Sequence, residues 1–576
     1  MSPADQNGRT GEPSARKGVP PMPNPMAGTA FAAEGSPVPP LQPGGIPRIG
    51  SPAEVRPLPD GPLHFVGIGG AGQSAIAYVF AQRGRVVRGS DSGISAPAKA
   101  RLESVGCEVY TQHAAENVKP DTAAVIATDA VNEQNPEITE ALSRNLPVFR
   151  RPEALASLVN SARTSICVAG THGKTTTTGM IASILIHAGL NPTVLIGGDL
   201  PLIGGNSQNG DPDLVVAEAC EAYGGLDCLS PTIAVITNCE PDHLDFHGTA
   251  ENFYAAFKRF IGQTRDDIIV PEWNMPINAY DARNDSPSSA EIWRYQIKTT
   301  WPSAGHDDDW SHSNAVELTP NGKGIAFKLI FTDVASDPED LIVSLQVPGE
   351  HNVLNASAAI LAAMTTSAFK INISGLESFT GTGRRFERLG MVGDIAIVDD
   401  YAHHPTEIRA TLQAARQAFP GRRIVAIYQP HLPSRTRDFL DAFADALSGA
   451  DALYLTDIYL AREPEQPGLI EELVERICPP SPLPPSPPDN GREGELEGVF
   501  LPPPNPLPLS GGGGAERRGR VSSLTLVKNR HELPQTLLRE LKPGDVALFM
   551  GAGNIREQAE AFLTLQSRSD FVAERP

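Results

Sequence analysis

Residues 166–192 leave the chain little freedom. An apolar strand, Ile166–Ala169, runs directly into Gly170-Thr171-His172-Gly173-Lys174-Thr175-Thr176-Thr177-Thr178. A helical pattern follows, with Ile181, Ile184, Leu185 and Ala188 on one face, and stops near Gly189 with Pro192 just beyond. A glycine-rich bend between a strand and a helix places backbone amides and a helix N-terminus where phosphate oxygens bind. Lys174 supplies a cation for β/γ oxygens and Thr175 a hydroxyl for Mg²⁺. The general GxxxxGK[ST] pattern is incomplete, because Val168 stands where it has its first glycine. The bland alternative is a helix capped by Thr with an exposed Lys.

The neighbouring segments repeat this design. Strand Leu63–Val66 enters Gly67-Ile68-Gly69-Gly70-Ala71-Gly72, a GxGxxG turn, and a helical stretch from about Gln73 to Gln82. The next strand ends in Gly89-Ser90-Asp91, so an acid lies about 20 residues on, as in dinucleotide folds. That turn suits a nucleotide diphosphate, with NAD a lesser alternative. Leu214–Ala217 ends in Glu218, and Ile233–Thr237 leads to Asn238-Cys239-Glu240-Pro241-Asp242-His243. Glu218 and His243, each just past a strand, suit Mg²⁺ shared with the lysine loop. Further on come Arg384-Arg385, then Asp399-Asp400-Tyr401-Ala402-His403-His404, then Gln429-Pro430-His431 with Arg435. A last strand leads to Gly551-Ala552-Gly553-Asn554. Short strands alternating with helices predict parallel α/β domains, whose ligands collect beyond the carboxyl ends of the strands.

The chain has 576 residues, enough for three to four domains at roughly 100–200 residues each. With 47 Lys+Arg against 68 Asp+Glu the formal net charge is −21, which argues against a nucleic-acid or membrane-surface binder. No apolar run approaches the ~18 residues of a membrane span. Six cysteines without a CxxC pair fit a reduced cytoplasmic setting rather than a disulfide framework or a zinc site. Residues 1–60 and 479–521 concentrate Pro and Gly, predicting a disordered tail and a low-complexity insertion within the last domain.

Taken together the motifs resemble the Mur ligase family, over roughly residues 60–478 and 522–565. They are HFVGIGGAGQSAIA (64–77), AGTHGKTTTT (169–178), EACE (218–221), TNCEPDHLD (237–245), PGEHNVLNASAAI (348–360), GTGRRFE (381–387), DDYAHHPTEI (399–408), QPHLPSRT (429–436) and GAGNI (551–555). The GIGGAG start, DDYAHHP and QPH…SRT are similar to the alanine-adding branch. The resemblance implies three α/β domains: a Rossmann-like UDP-sugar domain (61–160), a central P-loop-type ATPase domain (161–375) and a Rossmann-like C-terminal domain (376–576). It implies an ATP-dependent amide ligase that phosphorylates the lactyl carboxylate of UDP-N-acetylmuramate and lets the L-alanine amine attack the acyl phosphate. Mg²⁺ and ATP are the implied cofactor and co-substrate, and no nucleic acid or membrane partner is expected.

By that resemblance Gly170, Thr171, His172, Gly173, Lys174, Thr175 and Thr176 would surround ATP phosphates. His351, Asn352 and Asn355 would lie near the adenine, with Arg384, Arg385 and Asp399 (or Asp400) closing over the nucleotide. Thr175, Glu218 and His243 would hold the metal. Lys174, His403 and Arg435 would carry the chemistry, and Tyr401, His403, His431 and Arg435 would line the alanine pocket, Arg435 gripping its carboxylate. Gly69, Gly70, Ala71, Gly72, Ser90, Asp91 and His113 would face the UDP-sugar. Two departures stand out. Leu432-Pro433 replaces an aromatic and basic pair, and Cys220 and Ala222 interrupt an EADES-like motif, so only Glu218 carries over there. Lys258, which some relatives' pattern would make a carbamylated lysine, reads here as a solvent-facing helix residue. Rival readings are a sister ligase adding a preformed peptide or D-glutamate, an NAD-dependent dehydrogenase, and a nucleotide sensor without turnover.

Overall fold

A computed structural model describes residues 50–129, 131–132, 134–272, 291–297, 311–321, 324–332, 340–366, 373–461, 463–478 and 521–573. Residues 1–49 and 479–520, most of the two low-complexity segments, lie outside the described residues. Residues 50–60 do not belong to a disordered tail. Arg56 donates to the Val148 carbonyl at 2.8 Å and to Glu153 at 3.1 Å, and its guanidinium lies 4.4 Å from the centre of the Phe149 ring. Val55 and Leu58 pack against the first core. A few well-placed contacts anchor a segment whose composition alone reads as unstructured.

Among the described residues the strands form three sheets. The first holds β1 (Leu63–Val66), β2 (Val87–Ser90), β3 (Glu108–Tyr110), β4 (Ala124–Ala127) and β5 (Val148–Arg150), all parallel, in the order β3-β2-β1-β4-β5. The order reverses beside β1, so the glycine-rich turn after β1 opens at the switch point where such sheets bind ligands.

The second sheet holds β6 (Thr164–Ala169), β7 (Pro192–Leu200), β8 (Gly205–Gln208), β9 (Asp211–Glu218), β10 (Ile233–Ile236), β11 (Asp267–Pro271), β12 (Glu291–Ile297), β13 (Ser311–Pro320), β14 (Ile325–Thr332) and β15 (Leu341–Ser344). Its order is β15-β14-β13-β12-β11-β10-β6-β9-β7-β8. β6, buried from Ser165 onward, lies between β9 and β10, and the helix Lys174–His187 packs against the helix Glu350–Thr365 beside it. The third sheet holds β16 (Glu387–Val392), β17 (Ile395–Asp400), β18 (Ile424–Tyr428), β19 (Ala452–Thr456), β20 (Leu524–Val527) and β21 (Val546–Met550), ordered β16-β17-β21-β18-β19-β20.

The sheets are not parallel throughout. β8, β14, β15 and β16 pair antiparallel at sheet edges. An edge strand reached by a short turn needs no crossover helix, and the strand-helix alternation gives no sign of it. β19 and β20 pair directly although residues 479–520 separate them in sequence, so both flanks of that insertion belong to one sheet. No described helix is long and apolar enough to cross a membrane.

Candidate active site

The strand order explains how the phosphate loop acquires its partners. Because β6 is flanked by β9 and β10, the loop after β6 meets Glu218 at the end of β9 and Asn238 just past β10. The approach is close. A Cβ on Gly170 (φ +141°) would fall 2.0 Å from the Thr237 hydroxyl, and one on Gly173 (φ +80°) would fall 2.6 Å from Asn355 Oδ1. Asn238 Oδ1 accepts from the Thr171 and His172 amides at 3.0 and 2.9 Å. Those two amides are therefore engaged within the protein. The open donors for phosphate are the first amides of the helix Lys174–His187, which lack intrahelical partners.

Two carboxylates divide the loop's side chains. The Thr175 hydroxyl donates to Glu218 Oε2 at 2.9 Å, and the same oxygen accepts from the Gly197 amide at 2.8 Å. Lys174 Nζ lies 2.9 Å from Glu221 and donates to the carbonyls of Gly170 and Thr171 at 2.5 and 3.0 Å. Burial opposes the lysine's charge, yet the Glu221 carboxylate holds its pKa above the ordinary value. His243 lies 3.8 Å from Glu221 and 3.8 Å from Asp242. The expected metal set is thus split: Thr175 pairs with Glu218, whereas His243 neighbours Glu221. Glu221, at the other end of the EACE segment, stands outside the set that the resemblance implies, because Cys220 and Ala222 interrupt the motif around it.

Residues from the third sheet reach the same region. His172 lies 3.2 Å from Glu407 and 3.5 Å from Glu240. Burial opposes its charge, but these carboxylates raise it to about 9. Arg435 makes a bidentate pair with Asp242 through Nη2 at 3.0 and 3.1 Å, and its Nη1 lies 3.3 Å from His431 Nδ1. The fork expected to grip alanine's carboxylate is therefore occupied by a carboxylate of the chain itself. Against burial, His243 and Arg435 hold Asp242 well below the usual carboxylate range. Burial pushes His403 down to about 3 and His431 to about 4, so both rings are neutral at pH 7. His403 Nδ1 lies 2.9 Å from the Tyr401 carbonyl, which fixes the proton on that nitrogen.

Arg384 donates to the Gly551 and Gly553 carbonyls at 2.8 and 3.2 Å and lies 3.6 Å from Asp399. Its guanidinium therefore straps the GAGN turn to the chain's entry into the third sheet. Arg385 lies 3.3 Å from Glu407, and both guanidinium groups flank the Tyr401 ring at 4.7 and 5.2 Å. Burial raises Asp399, and it raises Asp400 to about 6. Asn355 donates to Asn352 at 3.2 Å, and Asn352 to the Pro348 carbonyl at 2.7 Å. His351 beside them is lowered to about 4 by burial and by Arg385.

In the first sheet Asp91 spends both carboxylate oxygens on backbone, accepting from Gly69 at 3.0 Å and Gly93 at 2.8 Å. It braces the turn rather than standing free for a ribose, which removes the main support for the NAD reading. Ser90 is fully buried; its hydroxyl donates to Glu137 and meets His113 Nδ1 at 2.8 Å. Burial opposes Glu137's charge, and His64, Ser90 and Asn117 bring it down to about 2. Ser90 and His113 thus serve an internal network, against the expectation that both face the sugar nucleotide.

One cavity of about 1780 Å³ joins the three sheets. Of the expected residues, Gly69, Ala71, Thr175, Glu218, Arg384, Arg385 and Tyr401 line it. Its lining does not include Gly70, Gly72, Ser90, Asp91, His113, Gly170, Thr171, His172, Gly173, Lys174, Thr176, His243, His351, Asn352, Asn355, Asp399, His403, His431 or Arg435. It adds Arg101, Asn206, Arg388 and Arg556, which no motif flags. Asn206 Nδ2 reaches the Ala71 carbonyl at 2.8 Å, joining the turn of one sheet to the β7–β8 hairpin of the next.

Three family models match in sequence: "Mur ligase family, catalytic domain" over residues 62–163, "Mur ligase middle domain" over 168–363 and "Mur ligase, glutamate ligase domain" over 384–479. A UDP-N-acetylmuramate–L-alanine ligase of Geobacter sulfurreducens is 38% identical over 504 residues, covering 87% of this chain and 96% of that one. The chain is a Mur ligase. A relative of the same name from Saccharopolyspora erythraea is 41% identical over 423 residues, covering 72% and 83% of the two chains. Among solved structures, the UDP-N-acetylmuramate-alanine ligase of Thermotoga maritima matches this Mur ligase with a TM-score of 0.66 at 26% identity, covering 88% of this chain and 99% of that one. A murein peptide ligase from Psychrobacter arcticus matches with a TM-score of 0.61 at 25% identity, covering 88% and 99%. Lys258 of this Mur ligase is exposed on the helix Ala250–Gly262, in line with the solvent-facing reading.

Proposed function

We propose that this Mur ligase joins L-alanine to the lactyl carboxylate of UDP-N-acetylmuramate at the expense of ATP, in cytoplasmic peptidoglycan precursor synthesis. The observation that carries the reading is the single cavity running from Gly69 and Ala71, past Thr175 and Glu218, to Arg385 and Tyr401. A sugar nucleotide at the first turn and a triphosphate at the second would bring carboxylate and γ-phosphate together in it. In this reading 61–160 binds the UDP-sugar, 161–375 the ATP, and 376–576 the amino acid.

Thr175 and Glu218 form an oxygen donor pair on the cavity wall, the hard ligands that Mg²⁺ selects. They would hold it with substrate oxygens, and the ion would offset the charge that develops as the phosphoryl group moves. Lys174 would exchange Glu221 for phosphate oxygens. The carboxylate oxygen attacks the γ-phosphorus and ADP leaves. The alanine amine then attacks the acyl carbon, and the tetrahedral intermediate expels phosphate as the amine loses a proton. A free carboxylate lacks a leaving group, so phosphorylation makes the amide accessible, and the protein's contribution is positioning and charge stabilisation.

ADP release is to be measured with UDP-N-acetylmuramate, Mg²⁺·ATP and, separately, L-alanine, D-glutamate and a murein tripeptide. Alanine alone should support turnover. The match to a murein peptide ligase makes the tripeptide the informative control, and turnover with tripeptide but not alanine would overturn the assignment. ATP and sugar-nucleotide binding without any turnover would instead favour the sensor reading.

A further inference from the structure

His172 belongs to the phosphate loop, yet its side chain points away from the chemistry. Its backbone is fixed within the second sheet's loops: the amide donates to Asn238 Oδ1 at 2.9 Å, and the carbonyl accepts from Asn238 Nδ2 at 2.9 Å. The ring leaves the loop and lies between Glu240, from the segment after β10, and Glu407, on the helix Pro405–Ala418 of the third-sheet region. His404 packs on it with ring centroids 4.7 Å apart. Both acids have second attachments on the far side. Glu240 Oε2 accepts from the Thr406 hydroxyl at 2.7 Å. Glu407 accepts from the His403 and His404 amides at 2.9 and 3.2 Å and meets Arg385 of the cavity wall at 3.3 Å. A continuous chain of charged contacts thus runs from loop to cavity wall: His172, Glu407, Arg385.

We propose that His172 is a positioning residue, an imidazolium strut through which docking of the helix Pro405–Ala418 sets the conformation of the phosphate loop. The inference rests on the ligase reading and adds to it a way for amino-acid-side closure to reach the triphosphate. A competing use of the same atoms is a metal site, since ligand atoms of His172, Glu240 and His404 lie within 4.8 Å of one another. The strut is favoured because each ring nitrogen of His172 already faces a carboxylate, and the Glu240 oxygen nearest it is bonded to Thr406.

The test uses the full chain and the variants His172→Gln and Glu240→Gln, the second retaining the imidazole in case the first folds poorly. Each should lower kcat for alanine-dependent ADP release by about 5–150-fold, the usual range of coupling between sites. KM for ATP should stay within about threefold if the lost term acts after nucleotide binding. The double variant should be little worse than either single one. Hydrogen exchange, measured without substrates, should quicken in residues 170–176 and 403–408 together. Faster exchange in 170–176 alone, or unchanged kcat in both variants, would overturn the strut. One Zn²⁺ bound per wild-type chain and lost in His172→Gln would replace it with a metal site. If wild-type chain releases no ADP with alanine, the ligase reading fails while the exchange data still judge the strut.

Discussion

Lys174 and Thr175 are neighbours that serve different carboxylates, Glu221 and Glu218. Lys174→Ala should therefore free Glu221 while leaving the Thr175–Glu218 pair in place. Removing a preorganised cation typically costs about 10²–10³ in rate, so turnover at saturating ATP should fall by at least that factor. Near-normal turnover would exclude the lysine from phosphoryl transfer. Histidines set opposing pH trends for stability. His172 is raised to about 9, so its stabilisation is complete below its ordinary value near 6.5 and is lost as pH rises through about 9. His351, His404 and His431 are lowered to about 4, so their contribution is present above 6.5 and fades as pH falls toward 4. Thermal unfolding followed from pH 5 to 10 should show both flanks, and His172→Gln should remove part of the alkaline one. Residue types were legible from the motifs, but their pairings were not. Nothing local in the sequence says that Asp91 braces Gly69 or that Ser90 turns inward to Glu137.

At the scale of elements, strands bounded by glycine turns were readable because buried parallel strands are short apolar runs. β1 has the limits expected from the sequence, Leu63–Val66. The antiparallel edges were not readable, since pairing direction is a property of two strands and no single run encodes it. The phosphate loop is the element most exposed to backbone change. Gly173→Ala must hold a left-handed residue, at about 1–2 kcal/mol, and must also displace Asn355, whose Oδ1 would lie 2.6 Å from the new methyl. Denaturant unfolding should show a loss exceeding the backbone cost alone. Adding Asn355→Ala should relieve the steric part and leave the backbone part. A Gly173→Ala variant of unchanged stability would show that the loop can relax where the packing says it cannot.

Across the whole molecule, the decisive contacts join residues far apart in the chain. Arg435 and Asp242 are separated by 193 positions and are both buried, so no motif spacing announces the pair. Arg435→Ala removes the bidentate partner of a buried carboxylate and leaves Asp242 only the His243 amide and ring, at a cost of up to about 3–5 kcal/mol. It should therefore lower the unfolding midpoint as well as raise the alanine concentration needed for half-maximal rate. Asp242→Asn should instead ease access to the guanidinium and lower that concentration, provided the amide still packs. Steady-state titration of alanine with both variants separates the two effects, and an unaltered alanine requirement in Arg435→Ala would remove the arginine from amino-acid recognition.

β20 is the outermost strand of its sheet, and the 479–520 stretch enters just ahead of it. Lengthening a connection between two strands costs only about 0.6 kcal/mol per doubling of its length. Neither flank of that stretch, the helix Leu469–Ile477 nor β20, lines the 1780 Å³ cavity, so a fluorescent reporter or an affinity handle spliced between them should leave alanine-dependent ADP release unchanged.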